Sequence, residues 1–216
     1  MFKVLGISGS LRESGNTEFL VRHALSLLHP QEFQADFISL RGKDIKPCNG
    51  CYNCVEAKRC TIPDDFDPIY QKMVEADGLI IGSPAYYASV HPQLMSLLDR
   101  AGFVRLWTGD YFSGKVGGPI TVARRTGQDL AFAQLLMWYF INDIIVPGSG
   151  YWTVGLAGSR GARDASKDEE GLRHIERFVG NMARVIKALK AANSGSALPQ
   201  EGYFATRYWK ARDEIG

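Results

Sequence analysis

The four cysteines of this 216-residue chain, Cys48, Cys51, Cys54 and Cys60, all fall in the stretch "CNGCYNCVEAKRC". Their spacing is C-x2-C-x2-C-x5-C. A structural zinc site pairs two C-x2-C knuckles across a longer stretch, whereas a C-x2-C-x2-C run is characteristic of thiolate ligation to a [4Fe–4S] cluster. Bacterial ferredoxins send the fourth cysteine of such a run to a second cluster. This chain has no thiol to spare for a second cluster, and Cys60 is placed to close the first. Disulfides, a redox-sensing thiol pair or zinc would use the same residues, and spacing alone leaves them open. Lys46, Lys58 and Arg59 flank the group, where they would offset its negative charge and attract an acidic donor such as ferredoxin. Asn49, Gly50 and Asn53 offer backbone N–H groups to cluster sulfurs, a lever on reduction potential.

A second chemistry is written into three other loops. "SGSLRESGNT" carries hydroxyls at Ser8, Ser10, Ser14 and Thr17, an amide at Asn16 and a charged fork at Arg12. Gly9 and Gly15 let backbone N–H groups approach an anion, and a helix beginning near Thr17 would aim its positive end at it. Neither the Walker pattern nor the dinucleotide glycine pattern is present. "SPAYYAS" places Ser83, Pro84 and Ala85 before Tyr86 and Tyr87, whose rings could wall a flat aromatic ligand. "ARRTGQD" supplies Ala123, Arg124, Arg125 and Gly127, suited to the electron-rich edge of such a ring. One phosphate and one flat ring describe a mononucleotide such as FMN.

The elements between these loops explain how they could meet. "FKVLGIS", "FQADFISL", "GLIIGSP" and "GGPITVA" read as strands, and a fifth is expected within "IIVPGSGYW". Helices are expected over "TEFLVRHALSLL", "DDFDPIYQKMVEADG", "PQLMSLLDRAG", with Pro92 in its first turn, "GQDLAFAQLLMWYFIND", and about Lys167 to Ala192. Strand and helix alternate five times, which argues for a doubly wound five-stranded parallel sheet with helices on both faces. In such a sheet ligands bind at the carboxyl ends of the strands, where the order switches direction. The loops after strands one, three and four fall there, and the cysteine loop follows strand two.

With these residues in view, the chain resembles the NADPH-dependent FMN reductase superfamily, of flavodoxin-like fold. The resemblance rests on "GISGSLRESGNTEFLV" and "IIGSPAYYASVHPQLMSLLDR" and covers about residues 1 to 190. It implies that Ser8, Ser10, Arg12, Ser14, Asn16 and Thr17 grip an FMN phosphate. It also implies that residues 84 to 87 line the isoalloxazine and residues 123 to 127 its pyrimidine edge. The cysteine pattern is similar to that of the iron–sulfur flavoproteins, a branch of the same superfamily. That implies all four cysteines bind one [4Fe–4S] cluster. It further implies a homodimer or homotetramer, in which one chain's cluster could serve another chain's flavin.

Bulk properties narrow the rest. A flavodoxin-like domain over 1–193 and a C-terminal tail over 194–216 are expected. The tail is aromatic and would pack on the domain or on a neighbouring subunit. Trp107, Tyr111 and Phe112, with Tyr208 and Trp209 of the tail, are candidate interface groups. A net charge of +2 without a basic stripe argues against nucleic acid, and no run reaches the ~18–20 apolar residues of a membrane span. With no signal-peptide pattern, a cytoplasmic protein is expected, where thiols stay reduced. His23, His29, His91 and His174 fall on or beside helices and form no acid–base pair. The expected activity is an FMN-dependent oxidoreductase moving electrons between the cluster, FMN and a redox partner such as ferredoxin or NAD(P)H, or a small acceptor. A cluster-free NAD(P)H-dependent FMN or quinone reductase, and a non-catalytic flavodoxin-like carrier or redox sensor, are the alternatives.

Overall fold

Short apolar strands alternate with helices, and in the computed structural model, which describes residues 1–158 and 164–192, five strands form one sheet in which all neighbours are parallel. The strands are β1 (Phe2–Ser8), β2 (Phe33–Ser39), β3 (Gly78–Pro84), β4 (Val116–Ala123) and β5 (Val154–Leu156). The helices are α1 (Asn16–Ser26), α2 (Asn53–Ala57), α3 (Phe66–Glu75), α4 (Pro92–Thr108), α5 (Gln128–Ile141) and α6 (Glu169–Ala192). A short 3-10 helix, Asp164–Lys167, precedes α6. The sheet order is β2-β1-β3-β4-β5, the flavodoxin-like order with its switch point between β1 and β3. The expected tail at 194–216 lies outside the described residues.

The period of two along each strand divides the core between two faces. Leu5, Ile7, Leu79 and Ile81 pack with residues of α3, α4 and α5, while Val4, Ile80, Ile120 and Val122 pack with residues of α1 and α6. Two glycines bring α1 down onto the sheet. A Cβ at Gly6 would come within 2.7 Å of Leu25 and Val21 carbons, and one at Gly82 within 2.4 Å of Val21 Cγ2 and 2.9 Å of Thr17 Cγ2. That close seating puts the first turn of α1 over the ends of β1 and β3.

Two expectations are corrected. The fifth strand is Val154–Leu156, beyond "IIVPGSGYW", in which Ile145 makes one parallel bridge to Val116. Pro147 follows two residues after Ile145, and Gly148 and Gly150 follow it, so that run cannot continue as a ladder. Phe112, offered as an interface group, is fully buried in the core among Tyr70 and Trp138.

Candidate flavin cleft and cysteine pocket

The loops after β1, β3 and β4 converge on one cleft of about 300 Å³, lined by Ser10, Arg12, Asn16, Thr17, Pro84, Ala85, Tyr86, Ala123 and Arg124 together with Val122, Ala157 and Gly158. Thr17 and Asn16 are buried at its floor, and Arg12 and Arg124 are exposed at its mouth. Gly15 precedes α1, and among the described residues no side chain caps the helix, so the N–H groups of its first turn could serve an anion. The Ser8 hydroxyl accepts the N–H of Ser10 (3.4 Å) and the Ser10 hydroxyl that of Arg12 (3.2 Å), which folds the loop back over the strand.

Not every expected residue faces this space. Ser8 and Ser83 are fully buried, and the Ser83 hydroxyl donates to Pro84 O (2.9 Å) and accepts the N–H of His91 (3.1 Å). Ser14 lies in the left-handed region at φ 49° and lines a separate surface depression beside Glu18 and Arg22. Tyr87 is fully exposed at the tip of a tight turn, in which Tyr86 and Ser89 exchange backbone hydrogen bonds of 2.8 and 3.0 Å. Tyr87 and Ala88 both have positive φ, the signature of a primed hairpin turn. Gly127 sits under that turn: a Cβ there would lie 3.0 Å from Ala88 Cα, and its φ is 91°. Arg125 is exposed beside it. Tyr86 meets the ring of His91 edge-on at 4.7 Å.

The four cysteines line a second, smaller cavity with Asn49, Tyr52, Thr61, Ile62, Arg100, Phe103 and Val104. All four are free thiols; Cys48 and Cys51 are exposed, Cys54 is buried and Cys60 is intermediate. Among the described residues no three His, Cys, Asp or Glu side chains converge closely enough for a single ion. The backbone here is irregular. Gly50, Tyr52 and Lys58 have positive φ, and the short α2 lies between the last two. Asn49 Oδ1 accepts the N–H of Cys51 (3.2 Å), and Lys58 Nζ donates to Trp107 O on α4 (3.1 Å). Burial pushes the Cys54 thiol up, and the three neighbouring thiols add to that shift.

The chain matches the family described as NADPH-dependent FMN reductase over residues 2–159. It is 39% identical over 193 residues to an iron–sulfur flavoprotein of Methanocaldococcus jannaschii, with 87% of this chain and 99% of that one covered. An iron–sulfur flavoprotein of Archaeoglobus fulgidus is 33% identical, over 87% of this chain and 98% of its own. The chain belongs to the iron–sulfur flavoprotein branch of the NADPH-dependent FMN reductase family. As a member it is an FMN-dependent oxidoreductase. Among solved structures, RosB with a bound 8-demethyl-8-formylriboflavin-5'-phosphate superposes with a TM-score of 0.70 at 17% identity, covering 100% of this chain and 88% of that one. An archaeal flavodoxin superposes with a TM-score of 0.55 at 13% identity, over 86% of this chain and 99% of its own. Both share the fold. Among the described residues no helix is long and apolar enough to cross a membrane.

The structure of this family member adds residues that sequence reasoning passed over. Ala157 and Gly158 reach the cleft from the end of β5, and they were hidden because the strand was expected earlier in the chain. Arg100 reaches the cysteine cavity from the middle of α4. Nothing in "SLLDRAG" marks that arginine as buried, because its partner Asp64 is 36 residues away.

Proposed function

We propose that the cleft holds FMN and that Cys48, Cys51, Cys54 and Cys60 hold one [4Fe–4S] cluster. Ser10, Arg12, Asn16, Thr17 and the first-turn N–H groups of α1 take the phosphate. Residues 84 to 86, with Ala123 and Arg124, flank the ring. Ser8 and Ser83 brace the two loops from behind, and Gly127 holds the third loop against the Tyr87 turn. The donor set fits both groups: a hydroxyl-rich, cationic cleft suits a phosphate and ring, and four thiols free of disulfides around one cavity suit iron.

Together the bound groups couple one-electron and two-electron partners, since FMN exchanges electrons singly or in pairs and the cluster singly. The chain's own part is to hold both and to shield them. Helix α4 runs between the sites, with His91 beside the cleft and Arg100 at the cavity, roughly 14 Å apart along the axis at ~1.5 Å per residue. The electron donor is ferredoxin or NAD(P)H and the acceptor a small molecule; of the cations flanking the cysteines, Lys46 pairs with Asp44, Arg59 with Asp67, and Lys58 donates to Trp107 O. Met137, Phe140 and Ile141, which α5 leaves 69%, 82% and 70% exposed, support assembly as a homodimer or homotetramer.

The observation that carries this reading is the separation of the two chemistries: every cysteine lines one cavity and the anion-binding loop another. The test is anaerobic purification with iron, sulfide and FMN assayed on one sample. About four irons per chain with bound FMN is the expected result. Flavin with free thiols and no sulfide would reduce the protein to a cluster-free FMN or quinone reductase.

A further inference from the structure

Arg100 is 1% exposed, in the middle of a helix that packs on a sheet, where an aliphatic side chain would be usual. Its guanidinium grips both oxygens of Asp64, whose side chain is 0% exposed, with Nη2 to Oδ1 at 3.0 Å and Nη1 to Oδ2. Nη1 also donates to Lys46 O (3.0 Å) and Nη2 to Cys60 Sγ (3.1 Å). Asp64 in turn accepts the N–H of Lys46 (2.8 Å) and of Phe66 (3.0 Å), and the guanidinium carbon lies 4.2 Å over the Phe66 ring. One side chain on α4 therefore fastens the chain before Cys48 to the chain around Cys60. Burial by itself would raise the Asp64 carboxyl, but the hydrogen bonds from Arg100, Lys46 and Phe66 hold it below the usual carboxylate range.

Stability alone does not explain this arrangement. Replacing a buried ion pair by apolar side chains of similar volume is often neutral or stabilising. What an apolar pair cannot provide is an N–H and a positive charge against a ligand sulfur. Reduction adds an electron to the cluster and its thiolates, so a donor at sulfur favours the reduced state and raises the potential. Asp64 opposes that effect by its own charge.

We infer that Arg100 is a positioning residue for the cluster: it orients Cys60 Sγ, donates to it, and sets the cluster's reduction potential, with Asp64 limiting the charge that the cluster feels. This rests on the four-cysteine ligand set proposed above. Arg105 supplies a control from the same helix. It is also buried, but it binds Asn142 Oδ1 (2.9 Å), Asp110 and Ile141 O rather than a cysteine.

The experiment is a redox titration of anaerobically purified holoprotein, wild type against Arg100→Gln, Asp64→Asn and Arg105→Gln. Iron and sulfide are assayed first, and cluster and flavin are followed separately by EPR and visible absorbance. The cluster potential is expected to move negative in Arg100→Gln and positive in Asp64→Asn, and to stay in place in Arg105→Gln. The flavin potential should hold throughout. Opposite signs are the discriminating result, since general loosening of the loop would shift both variants the same way. Shifts of one sign, or none, would overturn the inference. If Arg100→Gln does not fold, Arg100→Lys takes its place. Lysine keeps the charge but cannot hold Asp64 and Cys60 together, so a wild-type potential and EPR line shape in that variant would also overturn it. A wild type without iron and sulfide would bring down the ligand assignment itself, whereas a loaded wild type with unresponsive variants would bring down only the role of Arg100.

Discussion

The candidate cleft at the strand ends and the cysteine pocket against α4 are built in opposite ways. The cleft is made from strand ends whose register is fixed by the sheet: Ser8 pairs with Gly82, Pro84 with Val122 and Ala123 with Leu156. The pocket is made from irregular chain with three left-handed residues, and only Cys54 of its four thiols is buried. What fastens it is largely Arg100 with Asp64, the Lys58 bond to Trp107 O, and the edge contact of Tyr52 on Phe103 at 5.5 Å. The difference teaches that sheet register positions the cleft, whereas side-chain contacts with α4 hold the pocket, which would gain further order from the proposed cluster because metal binding to such loops is also folding free energy.

The largest expected effect tests the pocket. Cys54→Ser should lower iron from about four per chain to near none. It should also open residues 46 to 63 to limited proteolysis, while FMN content stays at the wild-type level. A Cys54→Ser protein that kept both its iron and its protease resistance would erase the contrast. Next in size is the cleft. Arg12→Ala combined with Thr17→Ala should weaken FMN binding by about 10- to 100-fold, the loss of one charge-assisted and one neutral hydrogen bond. A fluorescence titration of FMN-stripped protein reads that change, and iron per chain should not alter. Unchanged FMN affinity would remove the phosphate from this loop.

The same contrast decides what could be read from the sequence. Strands such as "FKVLGIS" and "GLIIGSP" were legible because a continuous apolar run has few other homes, and the loops that follow them came with the strands. β5 was misplaced because the three residues "VGL" are too short to show a period, while the more apolar "IIVPGSGYW" lies just before them. α2, at five residues, is too short for a helical repeat. The cysteines stood out as one group by their spacing, which left their chemistry open. Arg100 did not, since an arginine in "SLLDRAG" reads as a solvated face until Asp64 and Cys60 fold against it. The signal that could have found it is the surplus of acidic residues in "PDDFD", which begins three residues after the last cysteine.

A smaller effect tests the frame beneath both sites. The buried Tyr139 hydroxyl lies 2.9 Å from Gly118 O and 3.1 Å from Leu79 O, a link from α5 to β3 and β4. Tyr139→Phe should cost about 1–2 kcal/mol in urea denaturation and leave iron and FMN content alone. Loss of either cofactor in that variant would mean that the frame and the sites are not separable.

The smallest effect concerns the cleft end of α4. His91 precedes the helix, and its Nδ1 accepts the N–H of Gln93 at 3.3 Å, a cap that requires an unprotonated Nδ1. Burial holds the His91 pKa below its ordinary value. As pH falls through about 6.5, the unfolded chain therefore takes up this proton before the folded one does. The wild type should lose stability from there downward until the folded ring also titrates. Asparagine caps a helix as well and does not titrate, so His91→Asn should match the wild type at pH 7.5. By pH 5.5 it should be the more stable of the two, by about 1 kcal/mol or less. Paired denaturation curves at the two pH values read this directly. Parallel losses in both proteins would mean that His91 does not set the cleft end of α4.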